Sequence, residues 1–154
     1  MKFSEMPYKR IDMEEVEKEY KSIIERTKNA KSGEEQFEIH REYYKFTADV
    51  QTSMELAMIR HDIDTTDEFY EKESNFYDEV GPIISQYENE YGKVLYDSPY
   101  RDYLESKIGK VTFKNIEIAN KAFDEKIIPL MQEENALSSR YSKLIATAKI
   151  PFEG

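Results

Sequence analysis

Met58-Ile-Arg-His-Asp-Ile-Asp-Thr-Thr-Asp-Glu-Phe-Tyr-Glu-Lys-Glu73 carries the end of one helix and the start of another. His61 suits a helix C-terminus, where the backbone dipole is negative. Asp62 to Thr65 reads as a short acidic turn. Thr65 and Glu68 have the spacing of a capping box, which starts a new helix at about Thr66. On both sides apolar residues return at helical intervals.

Upstream, Ser32 and Glu35 form a capping box for a helix from Gly33 to about His61. Its expected seam is Phe37, Tyr44, Thr47, Gln51, Met54 and Met58, flanked by Tyr43, Phe46, Val50 and Ala57. Such a helix is on the order of 40 Å long and needs a partner along its length. A first helix starts after Asp12, with Glu15 completing another box, and fades by Asn29. Its inner face is Val16, Tyr20, Ile23, Ile24 and Thr27.

Downstream, the third helix covers about Thr66 to Tyr96. Its apolar face includes Phe69, Phe76, Val80, Ile83, Ile84, Tyr87, Tyr91, Val94 and Leu95. Phe76-Tyr-Asp-Glu-Val-Gly-Pro82 interrupts it, and the periodicity beyond predicts a kink rather than a stop. Ser98-Pro99 suits an N-cap and first helical position, and Gly109 suits a C-terminal cap. Further helices are expected over Val111 to Phe123 and Asp124 to Thr147. The last has an apolar face of Ile127, Leu130, Met131, Leu137, Tyr141, Leu144 and Ile145, with Glu134 as its polar break. Lys149-Ile-Pro-Phe-Glu-Gly154 alternates as an extended segment. The fold class is therefore all-α: an antiparallel bundle of about five or six helices with a short extended C-terminal segment, residues 1–154 forming a single helical domain.

Five glycines and five prolines in 154 residues fit long helices better than many short strands. Twelve tyrosines and eight phenylalanines without tryptophan make rings the main core material. The net charge of -10 disfavours nucleic acid and anionic membrane surfaces as partners; cationic peptides remain candidates, but a general acid excess is more simply a device for solubility. There are no cysteines, which excludes disulfides, thiolate metal sites and a cysteine nucleophile and suits a cytoplasmic location. No stretch approaches the roughly 20 apolar residues of a membrane span.

Few residues carry chemistry. His40 and His61 stand on one expected helix about 30 Å apart, too far to share a metal. Neither begins a His-Glu-x-x-His motif. Asp62, Asp64, Asp67 and Glu68 lack the glycine of a calcium loop, so they read as helix-capping acids. Glu134, on an apolar face, is the best single candidate for a perturbed carboxylate, with a satisfied buried acid as the plainer reading. Tyr87, Tyr91, Tyr96, Tyr100 and Tyr103 could line a peptide groove; rings packed inward with hydroxyls at the rim are the simpler expectation. No catalytic, cofactor-binding or metal-ligating residue is assigned.

Arg60-His-Asp-Ile-Asp-Thr-Thr-Asp-Glu-Phe-Tyr70, Phe76 to Pro82, Glu133-Glu-Asn-Ala-Leu-Ser-Ser139 and Leu144-Ile-Ala-Thr-Ala-Lys149-Ile150 together resemble the N-terminal region of the oligoendopeptidase F branch of thimet-oligopeptidase-like zinc metallopeptidases. The resemblance spans the whole chain but only the opening part of a longer family protein. It implies a non-catalytic N-terminal lobe of a cytoplasmic zinc oligoendopeptidase, walling the cleft that admits short peptides. The implied zinc belongs to the catalytic part of such a parent, whose catalytic lobe would be the partner. Short peptides would be met indirectly, and the isolated lobe is expected to self-associate. This chain lacks the zinc motif and is expected to be inactive alone. The alternative is a stand-alone helical protein-interaction module derived from that lobe.

Overall fold

The computed structural model describes residues 5–148; the expected extended segment 149–154 lies outside the described residues. Those residues form six helices and no strand: α1 (Met13–Asn29), α2 (Gly33–Ile63), α3 (Glu68–Tyr96), α4 (Arg101–Ile108), α5 (Lys110–Ala122) and α6 (Ile128–Ala146). A short 3-10 turn, Glu125–Ile127, leads into α6.

Helix α3 is the hub and packs on α1, α2, α5 and α6. Residue pairing fixes the directions. Early α2 meets late α3 where Tyr43 stacks on Tyr91, with ring centroids 3.8 Å apart. Late α2 meets early α3 where Arg60 Nη1 donates to the Tyr70 hydroxyl at 2.6 Å. These helices are therefore antiparallel. Helix α1 runs with α3, since Ile11 N meets the Tyr77 hydroxyl and Tyr20 stacks on Tyr87. Helix α6 runs against α3, with Gln132 on Glu79 and Lys143 on Glu71.

Local chemistry explains the boundaries. Asp12 accepts from the Glu14 and Glu15 amides, and Ser32 accepts from the Glu35 amide. Gly33 opens α2 because Tyr103 lies against it: a Cβ there would stand 2.6 Å from the Tyr103 ring. At the acidic turn the cap is Asp67, not Thr65; its carboxylate accepts from the Phe69 and Tyr70 amides. Asp64 takes the Thr66 amide and hydroxyl instead, closing a tight local turn. Ser98 is no helix cap either. It is buried, donates to Gln36 at 2.5 Å and accepts from the Tyr100 amide, so α4 begins two residues beyond Pro99.

Helix α3 continues through Pro82. Gly81 helps: a proline crowds the Cβ of the preceding residue in helical conformation, and glycine has none. Packing does not demand this glycine, because an added Cβ would meet no other neighbour within 4 Å.

The core has two clusters. One gathers Ile23, Ile24, Ile39, Tyr91, Leu95, Leu104 and Phe113. The other gathers Val16, Tyr20, Val50, Ala57, Tyr77, Val80 and Ile84. Tyr43, Phe46 and Tyr87 pack against both and join them. The α1 face is as the periodicity predicts. The α2 seam is rotated from its expected position: Tyr44 is 71% exposed, and the inward stripe is Gln36, Ile39, Tyr43, Phe46, Val50 and Ala57. The apolar face of α6 departs most, for it points outward. Leu130, Leu137, Tyr141, Leu144 and Ile145 are all exposed, and α6 buries no residue.

Candidate functional site

The features able to do work lie along α3, where α6 docks. Proline has no amide hydrogen, so Pro82 leaves the Asp78 carbonyl without its helical donor. Asn135 Nδ2 supplies one at 3.2 Å, and Gln132 Nε2 donates to the neighbouring Glu79 carbonyl at 2.7 Å. Ser139 Oγ donates to the Asp78 carboxylate at 2.6 Å, and Lys143 pairs with Glu71. Positions 132, 135, 139 and 143 form one helical stripe, so α6 is fastened by a polar edge.

Beside this seam runs a groove of about 390 Å³ between α2, α3 and α6. Met54, Met58, Ile84 and Met131 supply apolar lining, while Glu55, Asp78 and Glu88 supply carboxylates. Glu88 also borders a second groove, about 430 Å³, between α3, α5 and the start of α6. Protein atoms packed around the Glu88 carboxyl push it above the usual carboxylate range, although the residue as a whole is solvent-exposed; its bond from the Tyr20 hydroxyl at 3.5 Å opposes the rise. Asn89, next to it, is buried with its Oδ1 unpaired, while its Nδ2 donates to Asn120.

A second charged feature was missed by the sequence reading. Glu73 is 5% exposed and receives Arg10 through two bonds, Nε at 2.8 Å and Nη2 at 2.5 Å. The Tyr8 hydroxyl donates to the same carboxylate. The Arg10 guanidinium holds the Glu73 carboxyl below its ordinary range, overcoming the opposing effect of burial. Arg10 also lies over the Phe76 ring, 4.5 Å from its centroid. This clamp ties the segment before α1 to α3. Its signal was readable: Glu73 falls in register with Tyr70, Tyr77, Val80 and Ile84, an acid inside an apolar stripe.

The sequence candidates scatter. His40 and His61 stand on the same continuous helix, so about 30 Å of rise separates them. His40 Nδ1 lies 3.1 Å from the Tyr91 hydroxyl, and burial lowers its pKa. His61 sits in the last turn of α2, with Nδ1 3.9 Å from Asp62. Among the described residues no group of three potential ligands converges, so the donor set does not fit a zinc site. Glu134 is not a buried acid. It is exposed on the outward face of α6, which explains its polar interruption of that stripe. The tyrosine series packs as expected. Tyr87 stacks on Tyr20, Tyr91 is 2% exposed, Tyr96 lies under Arg101, and the Tyr100 hydroxyl donates to the Lys31 carbonyl.

Comparison with known proteins gives this geometry a context. The model of a family described as peptidase M3 N-terminal domain matches residues 3–123. Three solved structures superpose with a TM-score of 0.96 each. A PZ peptidase A solved with inhibitor 2 is 40% identical, over 99% of this chain and 27% of its own. An oligoendopeptidase F is 39% identical, over 100% of this chain and 27% of its own. An oligoendopeptidase F from Bacillus anthracis str. Ames is 38% identical, over 100% and 28%. The chain thus spans little more than a quarter of these relatives. No curated protein matches it.

Proposed function

The chain belongs to the peptidase M3 N-terminal domain family, and from that premise we propose that it is the non-catalytic helical lobe of a zinc oligoendopeptidase, one that walls the cleft through which short peptides enter. The observation that carries this reading is the inverted last helix. Helix α6 fixes its polar stripe to α3 and turns Leu130, Leu137, Tyr141, Leu144 and Ile145 outward. An exposed apolar stripe on a helix suits a protein interface. The relatives supply the occupant, since about three quarters of their length lies beyond the matched part. Zinc chemistry would then belong to that other part, because the residues described here do not gather ligands. The cysteine-free composition suits a reducing, cytoplasmic setting.

The test is complementation. The zinc-binding remainder of an oligoendopeptidase F relative is produced alone and mixed with this chain. Cleavage of a quenched fluorescent peptide is followed with and without chelator. Chelator-sensitive cleavage that needs both parts supports the lobe reading. Tight stoichiometric zinc binding by this chain alone, read by calorimetry, or cleavage by it alone, sinks that reading.

A further inference from the structure

We infer that the groove between α2, α3 and α6 is a binding site for a short peptide with an apolar centre and basic ends. Its walls run from Thr47 to Met58 on α2 and from Tyr77 to Glu88 on α3. Each wall rises about 16 Å. An extended peptide of about five residues spans that length.

The helices are antiparallel, so Asp78 stands at the Met58 end and Glu88 at the Thr47 end. Glu55 adds a third carboxylate near the Asp78 end. No Lys or Arg is among the described residues that line the groove. Glu88 also has no ion-pair partner among the described residues; only the Tyr20 hydroxyl reaches it, at the limit of hydrogen bonding. Asp78 keeps acceptor capacity beyond its single bond from Ser139. Glu88 and Glu55 are solvent-exposed and Asp78 is half-buried, so these carboxylates attract a cationic ligand by charge complementarity at the groove rim.

Between the charged ends the lining is soft. Met54, Met58 and Met131 come from two different helices. Methionine is unbranched and polarisable, and adapts to side chains of varied shape. Acidic ends around an adaptable apolar floor select cationic, partly apolar peptides without demanding one sequence. This deepens the lobe reading and rests on it for the peptide's role as a client of a peptidase. The binding itself is a property of this chain and is measured on it.

The probe is acetyl-Lys-Leu-Ala-Leu-Lys-amide, set against its counterpart with glutamate at both ends. Amide shifts in nitrogen-15 spectra of the 154-residue chain report binding. The lysine peptide is expected to shift Ser85, Met131 and Asn135 and to bind about fivefold more tightly than the glutamate peptide, the upper end of what one exposed ion pair supplies. Glu88→Gln and Met58→Lys each weaken it several-fold, with melting temperatures confirming that both variants fold. The inference is overturned by equal binding of the two peptides, by no binding at millimolar peptide, by shifts confined to the outer face of α6, or by unchanged affinity in both variants. Such a failure leaves the family membership and complementation result standing. A failed complementation likewise leaves a positive titration intact.

Discussion

Asn135 on α6 donates to the carbonyl of Asp78 on α3 at 3.2 Å, replacing the amide that Pro82 lacks. A defect in one helix has become the attachment point of another. Asn135→Ala should cost about 0.5–1.5 kcal/mol in denaturant unfolding, the ordinary net value of one hydrogen bond. With Pro82→Ala the helical donor returns and Asp78 no longer needs Asn135. The double-mutant cycle should then show coupling of about 0.5 kcal/mol or more. Strict additivity would count against this account of the seam.

Glu73→Gln should destabilise the fold by about 1–3 kcal/mol, below the figure for a fully buried pair because the Arg10 side chain is 44% exposed. The pH dependence has a definite sign. The folded-state pKa of Glu73 is depressed, chiefly by Arg10. Its contribution is full above the ordinary carboxylate value near 4.5 and disappears as pH falls through the lower folded value. Melting curves of parent and variant should converge in that acidic range.

Glu88 works in the opposite direction. Partial desolvation of the carboxyl raises its folded pKa, so the native state takes up a proton before the unfolded chain does. Because the residue is solvent-exposed, its ionised form opposes folding only slightly at neutral pH, and that penalty fades as pH falls through the raised value. Glu88→Gln should therefore raise the melting temperature slightly at pH 7, with the gain vanishing once the parent carboxyl is protonated. A lower melting temperature at pH 7 would show that the ionised group is stabilised by a contact the structure does not contain.

Gly33→Ala places a Cβ 2.6 Å from Tyr103 Cδ1 and 2.8 Å from Cγ. These atoms lie near the root of the side chain and cannot swing aside. The expected cost is about 1–3 kcal/mol, the range for overpacking. Chemical denaturation measures it, and a neutral result would mean that α4 shifts freely.

Leu137→Glu combined with Leu144→Glu should leave unfolding free energy within about 0.5 kcal/mol, since both residues are exposed. The same pair should abolish any concentration-dependent association seen by light scattering. Association unchanged by the pair would place the contact elsewhere.

Much of the fold was legible because its signals are local. Asp12 and Ser32 cap as read, and the five residues of the α1 stripe are those that the structure buries. Helix α2 was misread by a fraction of a turn. Aromatic residues at both 43 and 44 allow two stripes, and only the partner rings of Tyr20 and Tyr91 decide between them. Helix α6 was legible as a helix but not in its orientation. An apolar stripe looks the same whether it faces a core or a neighbouring domain, while the Gln132, Asn135 and Ser139 contacts reach residues more than 50 positions earlier, and the Asn135 bond answers a proline there. The Glu73 clamp joins residues 63 and 65 positions apart, beyond any local pattern.

The inverted α6 also has a thermodynamic consequence. Without a buried residue of its own, the helix rests on a few side-chain bonds, so it should be the first segment to open and exchange its amides with solvent. Opening competes with whatever occupies the outer stripe, because an undocked α6 presents no fixed surface. A ligand of that stripe is therefore taxed by the undocked fraction, and its binding in turn slows exchange along the helix. The seam at Asp78 thus tunes affinity on the far side of α6 without touching what binds there.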